Sequence, residues 1–222
     1  MNKIKSTIIL CCLAVALSSC DQVAKHLDTK IQENKETLLN NGSASTGTEK
    51  TADYSNLEIP ARLKQVPEQI LSRKGYTVSY NSNLKVPNWV AWHLTATRIK
   101  GNTKRSESTF QEDTDVPAPR AVDSDYVRSG FDRGHMCPAG DNKWSPKAMD
   151  ESFLFTNICP QAPQLNRGDW NEMEQACRKW AKQYGDIYIV CGPIFYKKRP
   201  KTIGKKQSEG NGLRSLQMTA DQ

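Results

Sequence analysis

Histidine is scarce in this chain, with three in 222 residues. A proton-transferring imidazole must therefore come from His26, His93 or His135. The sequence has no Cys-x-x-Cys pair, which removes the commonest spacing of a thiolate zinc site. No internal repeat is visible, which argues against solenoids and propellers. The apolar stretch from Ile8 to Leu17 is too short to span a bilayer as a helix. Between residue 21 and about residue 56, large apolar side chains are few, and Asn, Ser, Thr, Gly, Lys and Glu dominate. Such a segment cannot bury enough surface to offset its ordering entropy, so it reads as a tether, with room for a short polar helix near Gln22 to Thr37.

The N-terminus carries a stronger pattern. Lys3 and Lys5 precede the apolar stretch, which closes on Leu17-Ser18-Ser19-Cys20. Small residues before a cysteine resemble a bacterial lipobox, in which the chain is cleaved before the cysteine and the cysteine is acylated. The alternative is an ordinary secretory signal that contains Cys20. The lipobox reading implies lipidation at Cys20, a membrane contact through that lipid, and residence in a bacterial cell envelope on the periplasmic or cell-surface side. It divides the chain into a signal peptide (1–19), a lipidated cysteine with a flexible linker (20–56), and a globular domain (57–222). Loss of Lys3 and Lys5 lowers the formal charge from +7 to +5. A sequence pI of about 9.0 favours polyanionic partners, a solvated lysine surface being the alternative.

Of the seven cysteines, Cys11, Cys12 and Cys20 belong to the leader. Cys137, Cys159, Cys177 and Cys191 remain, an even number in an oxidising compartment. Two disulfides are the expectation, and three pairings are open. Zinc ligation and reduced, buried thiols are the alternatives.

In the globular part, Tyr76 to Tyr80 and Trp89 to Thr95 read as strands, with Pro87-Asn88 as a break between them. Residues 100 to 130 read as a long loop, which in a compact domain usually has a function. Ser145-Pro146 is a helix start, with serine as cap and proline in the first turn. Phe153 to Cys159 reads as a buried strand. Asp169 is placed as the cap of a helix over Trp170 to Tyr184, whose apolar positions follow three-four spacing and which Gly185 ends. Ile187 to Cys191 is a further strand, stopped at Gly192-Pro193. The class is mixed α and β.

His26 lies in the tether and His93 in a strand, which leaves His135 as the candidate base. Neutral imidazole near pH 7 can take a proton from water. Gly134 permits close backbone approach, and Arg133 offers a planar fork suited to phosphate. Downstream, Glu174 and Arg178 stand four apart and share a helix face. This is either an intrahelical ion pair or a carboxylate and an arginine aimed at a hydrated metal and a phosphate.

Three stretches together carry a resemblance: Trp89 to Thr95, Ser129 to Met136 with its Asp132-Arg133-Gly134-His135 run, and Thr156 to Arg178 with Asn-x-x-Pro-Gln, Asn-x-Gly-x-Trp and Glu-x-x-x-Arg in order. The chain resembles the DNA/RNA non-specific endonuclease family over roughly residues 66 to 200. The resemblance implies an α+β fold of the ββα-metal nuclease type, a mixed central sheet flanked by helices. It implies a Mg²⁺-dependent endonuclease, with Mn²⁺ as a substitute ion, that cuts DNA and RNA without regard to sequence and leaves 5′-phosphate ends. Carried over position by position, His135 is the general base and Asn166 the protein ligand of the metal. Glu174 acts through metal-bound water, while Arg178 and Arg105 neutralise phosphate. Arg133 belongs with the catalytic group or, with Asp132, shapes the loop. Asn157 is structural support. The run Lys197, Lys198, Arg199, Lys201, Lys205 and Lys206 either extends the phosphate track or is a solvated charge run. Family members continue with further strands and a terminal helix, and no family pattern is visible after about Lys206. The expectation is a domain lacking C-terminal elements. A nucleic-acid-binding lipoprotein, impaired by truncation, is the rival to a working enzyme.

Overall fold

The computed structural model describes residue 29, residues 56–194, and residues 203 and 204. The signal peptide, Cys20, nearly all of the tether, and the lysines and arginine of the basic run lie outside the described residues.

Among the described residues, six strands form two sheets. The larger has the order β1-β2-β3-β6, from β1 (Gln69–Ser72), β2 (Thr77–Asn81), β3 (Val86–Thr95) and β6 (Asp186–Cys191). Each neighbouring pair in it is antiparallel. The smaller sheet pairs β4 (Asp132–His135) with β5 (Ile158–Gln161), also antiparallel. A parallel bridge, Gln111 to Leu154, stands apart from both. The helices are α1 (Ala96–Ile99), α2 (Asp123–Tyr126), α3 (Pro146–Ser152), α4 (Pro163–Arg167) and α5 (Asp169–Tyr184).

Pro87-Asn88 does not break the second strand, since β3 runs through both residues. Pro87 pairs only with Tyr80, because β6 reaches β3 no further than Val90. At that end β3 is an edge, where a missing N–H costs no ladder bond. A register shift between Ser79 and Tyr80 takes up the irregularity.

The strand expected over Phe153 to Cys159 begins later. Phe155–Asn157 forms a 3₁₀ turn, and the strand runs from Ile158 to Gln161. Ser145 caps α3 as expected, accepting from the Ala148 N–H, with Pro146 in the first turn. The helix over 169–184 is present, but Gly168 occupies the cap position and Asp169 is its first residue. A carboxylate there still complements the positive end of the helix. Gly185, at φ 97°, ends the helix in a conformation that glycine adopts without strain.

α5 packs its apolar stripe on the larger sheet, and Cys177, Trp180 and Ala181 are buried in that layer. The main core gathers Val78, Val90, Leu94 and Ile189 from the sheet with Trp180 from the helix. Cys137, Cys159, Cys177 and Cys191 all lie in this one core, and none is disulfide-bonded. The two expected disulfides are therefore absent. The four thiols pack as small hydrophobes. Burial pushes the thiols of Cys137 and Cys159 well above the usual range, which keeps both protonated.

Two smaller clusters lie beside this core. One holds Ala121, Tyr126, Phe155 and Ile158, the other Ala139, Met149 and Phe153, and Phe110 packs against both.

Candidate active site

The stretch from β4 through β5 and α4 to α5 carries most of the chemistry-bearing side chains. His135 ends β4, pairing with Ile158 across the small sheet. Gly and Asp are poor strand formers, so the run Asp132 to His135 is held extended by its pairing with β5 rather than by its own propensity.

The His135 ring is packed edge-on against Phe153, with centroids 4.8 Å apart, and tilted against Phe110 at 5.3 Å. The residue is 6% exposed. Its backbone carbonyl accepts from Trp170 Nε1 at 3.0 Å, which ties the end of β4 to the first turn of α5. Burial, reinforced by the nearby Arg105 guanidinium, pulls the imidazole down to about 3. At neutral pH His135 is uncharged, and its Nε2 is buried without a hydrogen-bond partner among the described residues.

Glu174 and Arg178 lie on α5 and approach to 3.6 Å. The ion pair expected from the spacing is present, but the tighter partner of Arg178 is Asp141, whose Oδ1 accepts from Nη1 at 3.0 Å. Asp141 Oδ2 accepts from the indole N–H of Trp92 at 3.0 Å. The Asp141 carboxyl is raised by burial, against the opposing pull of Arg178 and Trp92. Glu174 lines a narrow pocket between α5 and the sheet, with Trp92, Met136, Trp170, Met173 and Cys177. That desolvation, with the Asp141 charge against it, raises Glu174 to about 7, although Arg178 and Arg105 pull it down. Arg105 is exposed and stands over the Phe153 ring at 5.6 Å. It acts electrostatically on both His135 and Glu174, so His135, Glu174, Arg178 and Arg105 share one neighbourhood.

Asn166, the penultimate residue of α4, has a different partner. Its Nδ2 donates to Asp132 Oδ2 at 3.0 Å. Arg167 grips the same carboxylate with both arms of its fork, each at 2.8 Å. Arg133 turns to Asp123, bonding it through Nε at 2.8 Å, with its guanidinium over Phe110 and Tyr126. Its fork is thus committed to shaping the β4 surroundings. Asn157 is spent on backbone groups, accepting from Cys137 N–H and donating to the carbonyls of Cys137 and Ser152. His93 stacks on Tyr188 and meets Asp186 at 2.8 Å, as part of the sheet surface.

Sequence reasoning missed Asp141 as the partner of Arg178, Trp92 as the donor that holds Asp141, and Phe110 and Phe153 as the walls around His135. Asp141 sits in a 3₁₀ turn and Trp92 in a strand 49 residues earlier, so no local spacing links them. The Asp-Arg-Gly-His run did flag Asp132, but not that it would reach Asn166.

The sequence profile of the DNA/RNA non-specific endonuclease family matches residues 53–211. The chain belongs to this family. As a DNA/RNA non-specific endonuclease relative, it is 40% identical to human mitochondrial endonuclease G over 128 residues, 57% of this chain and 43% of that protein. Against human mitochondrial nuclease EXOG the identity is 36% over 147 residues, covering 66% and 38%. Nuclease C1 of Cunninghamella echinulata var. echinulata is 43% identical over 129 residues, covering 56% and 51%. The chain thus spans about half or less of the length of these relatives. A solved structure of EndoG in complex with EndoGI superposes with a TM-score of 0.58 at 33% identity, covering 62% of this chain and 61% of that one. The fold is therefore α+β, of the type seen in these nucleases. The expected bacterial envelope location is overturned, because these relatives are mitochondrial and fungal nucleases, not envelope lipoproteins.

Among the described residues no three His, Cys, Asp or Glu side chains gather into a metal cage. The polar groups in this region that could face a cation, the amide of Asn166 and the carboxylates of Asp132, Asp141 and Glu174, offer oxygen. Such a set suits a hard cation that keeps most of its water, as Mg²⁺ does, and not a thiolate or imidazole metal.

Proposed function

We propose that this chain is a Mg²⁺-dependent endonuclease that hydrolyses phosphodiester bonds in DNA and RNA without sequence preference, with residues 57–222 as the nuclease domain. The observation that carries the reading is the neutral, buried His135 with its unpartnered Nε2, in the same electrostatic neighbourhood as Glu174, Arg178 and Arg105.

A phosphodiester is anionic and repels attacking oxygen, so charge neutralisation is the first requirement. Arg105 is exposed to a backbone phosphate, and Arg178 keeps a partly open guanidinium while Asp141 fixes its angle. Asn166 would hold Mg²⁺ through its amide oxygen, and Glu174 would reach it through water. When bound, the ion stabilises negative charge on the phosphoryl oxygens. His135 accepts a proton from water as that water's oxygen bonds to phosphorus. The P–O3′ bond breaks, O3′ takes a proton from solvent, and the products are a 3′-hydroxyl and a 5′-phosphate. An imidazole pulled down to about 3 is a weak base on its own. The incoming phosphate supplies negative charge that favours the imidazolium, raising basicity when substrate is present. Arginine and metal contacts to phosphate read no base edge, which supports sequence tolerance.

Incubation of the chain with plasmid and with RNA, in Mg²⁺ or in EDTA, tests this reading. Digestion that requires Mg²⁺ and disappears in His135→Ala is expected. Gel retardation without cleavage would favour a binding protein, and undiminished cleavage by His135→Ala would remove His135 from the role of base.

A further inference from the structure

Asp132 receives two consecutive residues of α4 on a single carboxylate. Asn166 donates its Nδ2 to Oδ2 at 3.0 Å, and Arg167 spans both oxygens at 2.8 Å each. A carboxamide has two ends of nearly equal size and opposite character, one a donor and the other an acceptor. An ionised carboxylate only accepts, so it can take only the nitrogen end. The oxygen end of Asn166 is thereby turned away from Asp132. A hard cation binds that oxygen and is repelled by the NH₂. Without an acceptor at this place, the two ends are free to exchange by rotation about the last side-chain bond.

We infer that Asp132 is the positioning residue that sets which end of Asn166 faces the metal, with Arg167 holding Asp132 at the angle required. The inference rests on Asn166 being the metal ligand, as proposed above. Arg167 is 73% exposed in its side chain, so its value here is orientation rather than burial. Its planar fork fits the carboxylate plane and fixes both oxygens, which a single contact from Asn166 would not do. The arrangement also joins α4 to β4, the strand that ends on His135. Partners that orient a metal ligand typically alter metal affinity ten- to a hundred-fold when removed.

Mn²⁺ titration followed by electron paramagnetic resonance, on the full chain without nucleic acid, reads this directly. Asp132→Ala is expected to weaken Mn²⁺ binding by about ten-fold or more. Arg167→Ala is expected to weaken it by less, and Asn166→Ala to abolish the site. Adding Asp132→Ala to Asn166→Ala should cause no further loss. Wild-type affinity in Asp132→Ala, with binding lost in Asn166→Ala, overturns the positioning role and leaves Asn166 as ligand. Wild-type affinity in Asn166→Ala overturns the ligand assignment itself. Should Asp132→Ala fail to fold, the exposed Arg167→Ala carries the test, and unchanged affinity there counts against the proposal. A purely structural role would lower the unfolding midpoint without moving Mn²⁺ affinity.

Discussion

Arg178 reaches across from α5 to Asp141 at 3.0 Å, pairing a guanidinium that is 19% exposed with a carboxylate that is 1% exposed. The pair is asymmetric. Asp141 is closed off behind Trp92, whereas Arg178 still faces outward enough to meet an anion. Such a pair aims a cation without consuming it.

Asp141→Asn keeps the shape and the Trp92 bond but removes the charge that anchors Arg178. Stability is expected to fall by about 2 kcal/mol, in the range of hydrogen bonds to charged groups. Plasmid cleavage should fall with it. Equilibrium denaturation alongside a digestion assay checks both, and an unchanged denaturation midpoint would show that Arg178 is held by something else.

Glu174 is raised from 4.5 to about 7 in the folded chain. Between those values the unfolded chain has lost the proton that the folded chain keeps. Stability is therefore full below about pH 4.5 and declines as pH rises towards 7, by on the order of 3 kcal/mol. Glu174→Gln removes the decline, so in EDTA its melting temperature should exceed that of the wild type at pH 8 and approach it at pH 5. Parallel melting curves across that pH range would disprove the shift.

His135 runs in the opposite sense on the acid side. Its folded value of about 3 lies below the ordinary 6.5. The unfolded chain takes up a proton first, so His135 stability is full above about pH 6.5 and is lost as pH falls towards 3. His135→Gln should flatten that acid limb in a chemical-denaturation series. A limb as steep as that of the wild type would mean that the imidazole is open to water.

Gly134 faces Gln161, and a Cβ there would come within 2.1 Å of its Oε1 and 2.4 Å of its Cγ. Gln161 is fully buried, so it has little room to retreat. Gly134→Ala is expected to destabilise by about 1–3 kcal/mol, as other overpacked sites do. Gly134→Ala with Gln161→Ala should recover much of that loss, and a double variant no better than the single one would rule out the clash as cause.

Non-reducing peptide mapping is expected to find Cys137, Cys159, Cys177 and Cys191 unbridged, with alkylation slow until the chain is unfolded. Any crosslinked peptide among them would contradict the observed core.

What could be read in advance depended on how local the signal was. Glu174 and Arg178 share a face because a helix repeats every 3.6 residues, and the three-four pattern over Trp170 to Tyr184 made that helix visible. The cap at Ser145 was equally legible, being a contact between residues three apart. β4 was not, because nothing in Asp-Arg-Gly-His favours a strand, and the partner that makes it one lies more than twenty residues later. The 3₁₀ turn at Phe155 was hidden for a related reason, since an unbroken apolar run does not reveal its backbone. The cysteines misled because an even count is compatible with bridges, and only the packing shows the thiols unlinked in one core. Among site residues, the motif members were legible through resemblance, whereas Asp141, Trp92, Phe110 and Phe153 came from distant parts of the chain.

β4 has only four residues, yet Asp132 and His135 project from it to opposite sides, since side chains alternate along a strand. A slip of one residue against β5 would swap those sides, turning the imidazole towards α4 and the carboxylate towards Phe153. No intermediate placement exists between the two registers. In the observed register the Gly134–Gln161 contact leaves no space for a larger group at position 134. Alignment in this small sheet is thus a discrete choice: a misplaced β4 would present the wrong side chain on each face rather than a slightly shifted one.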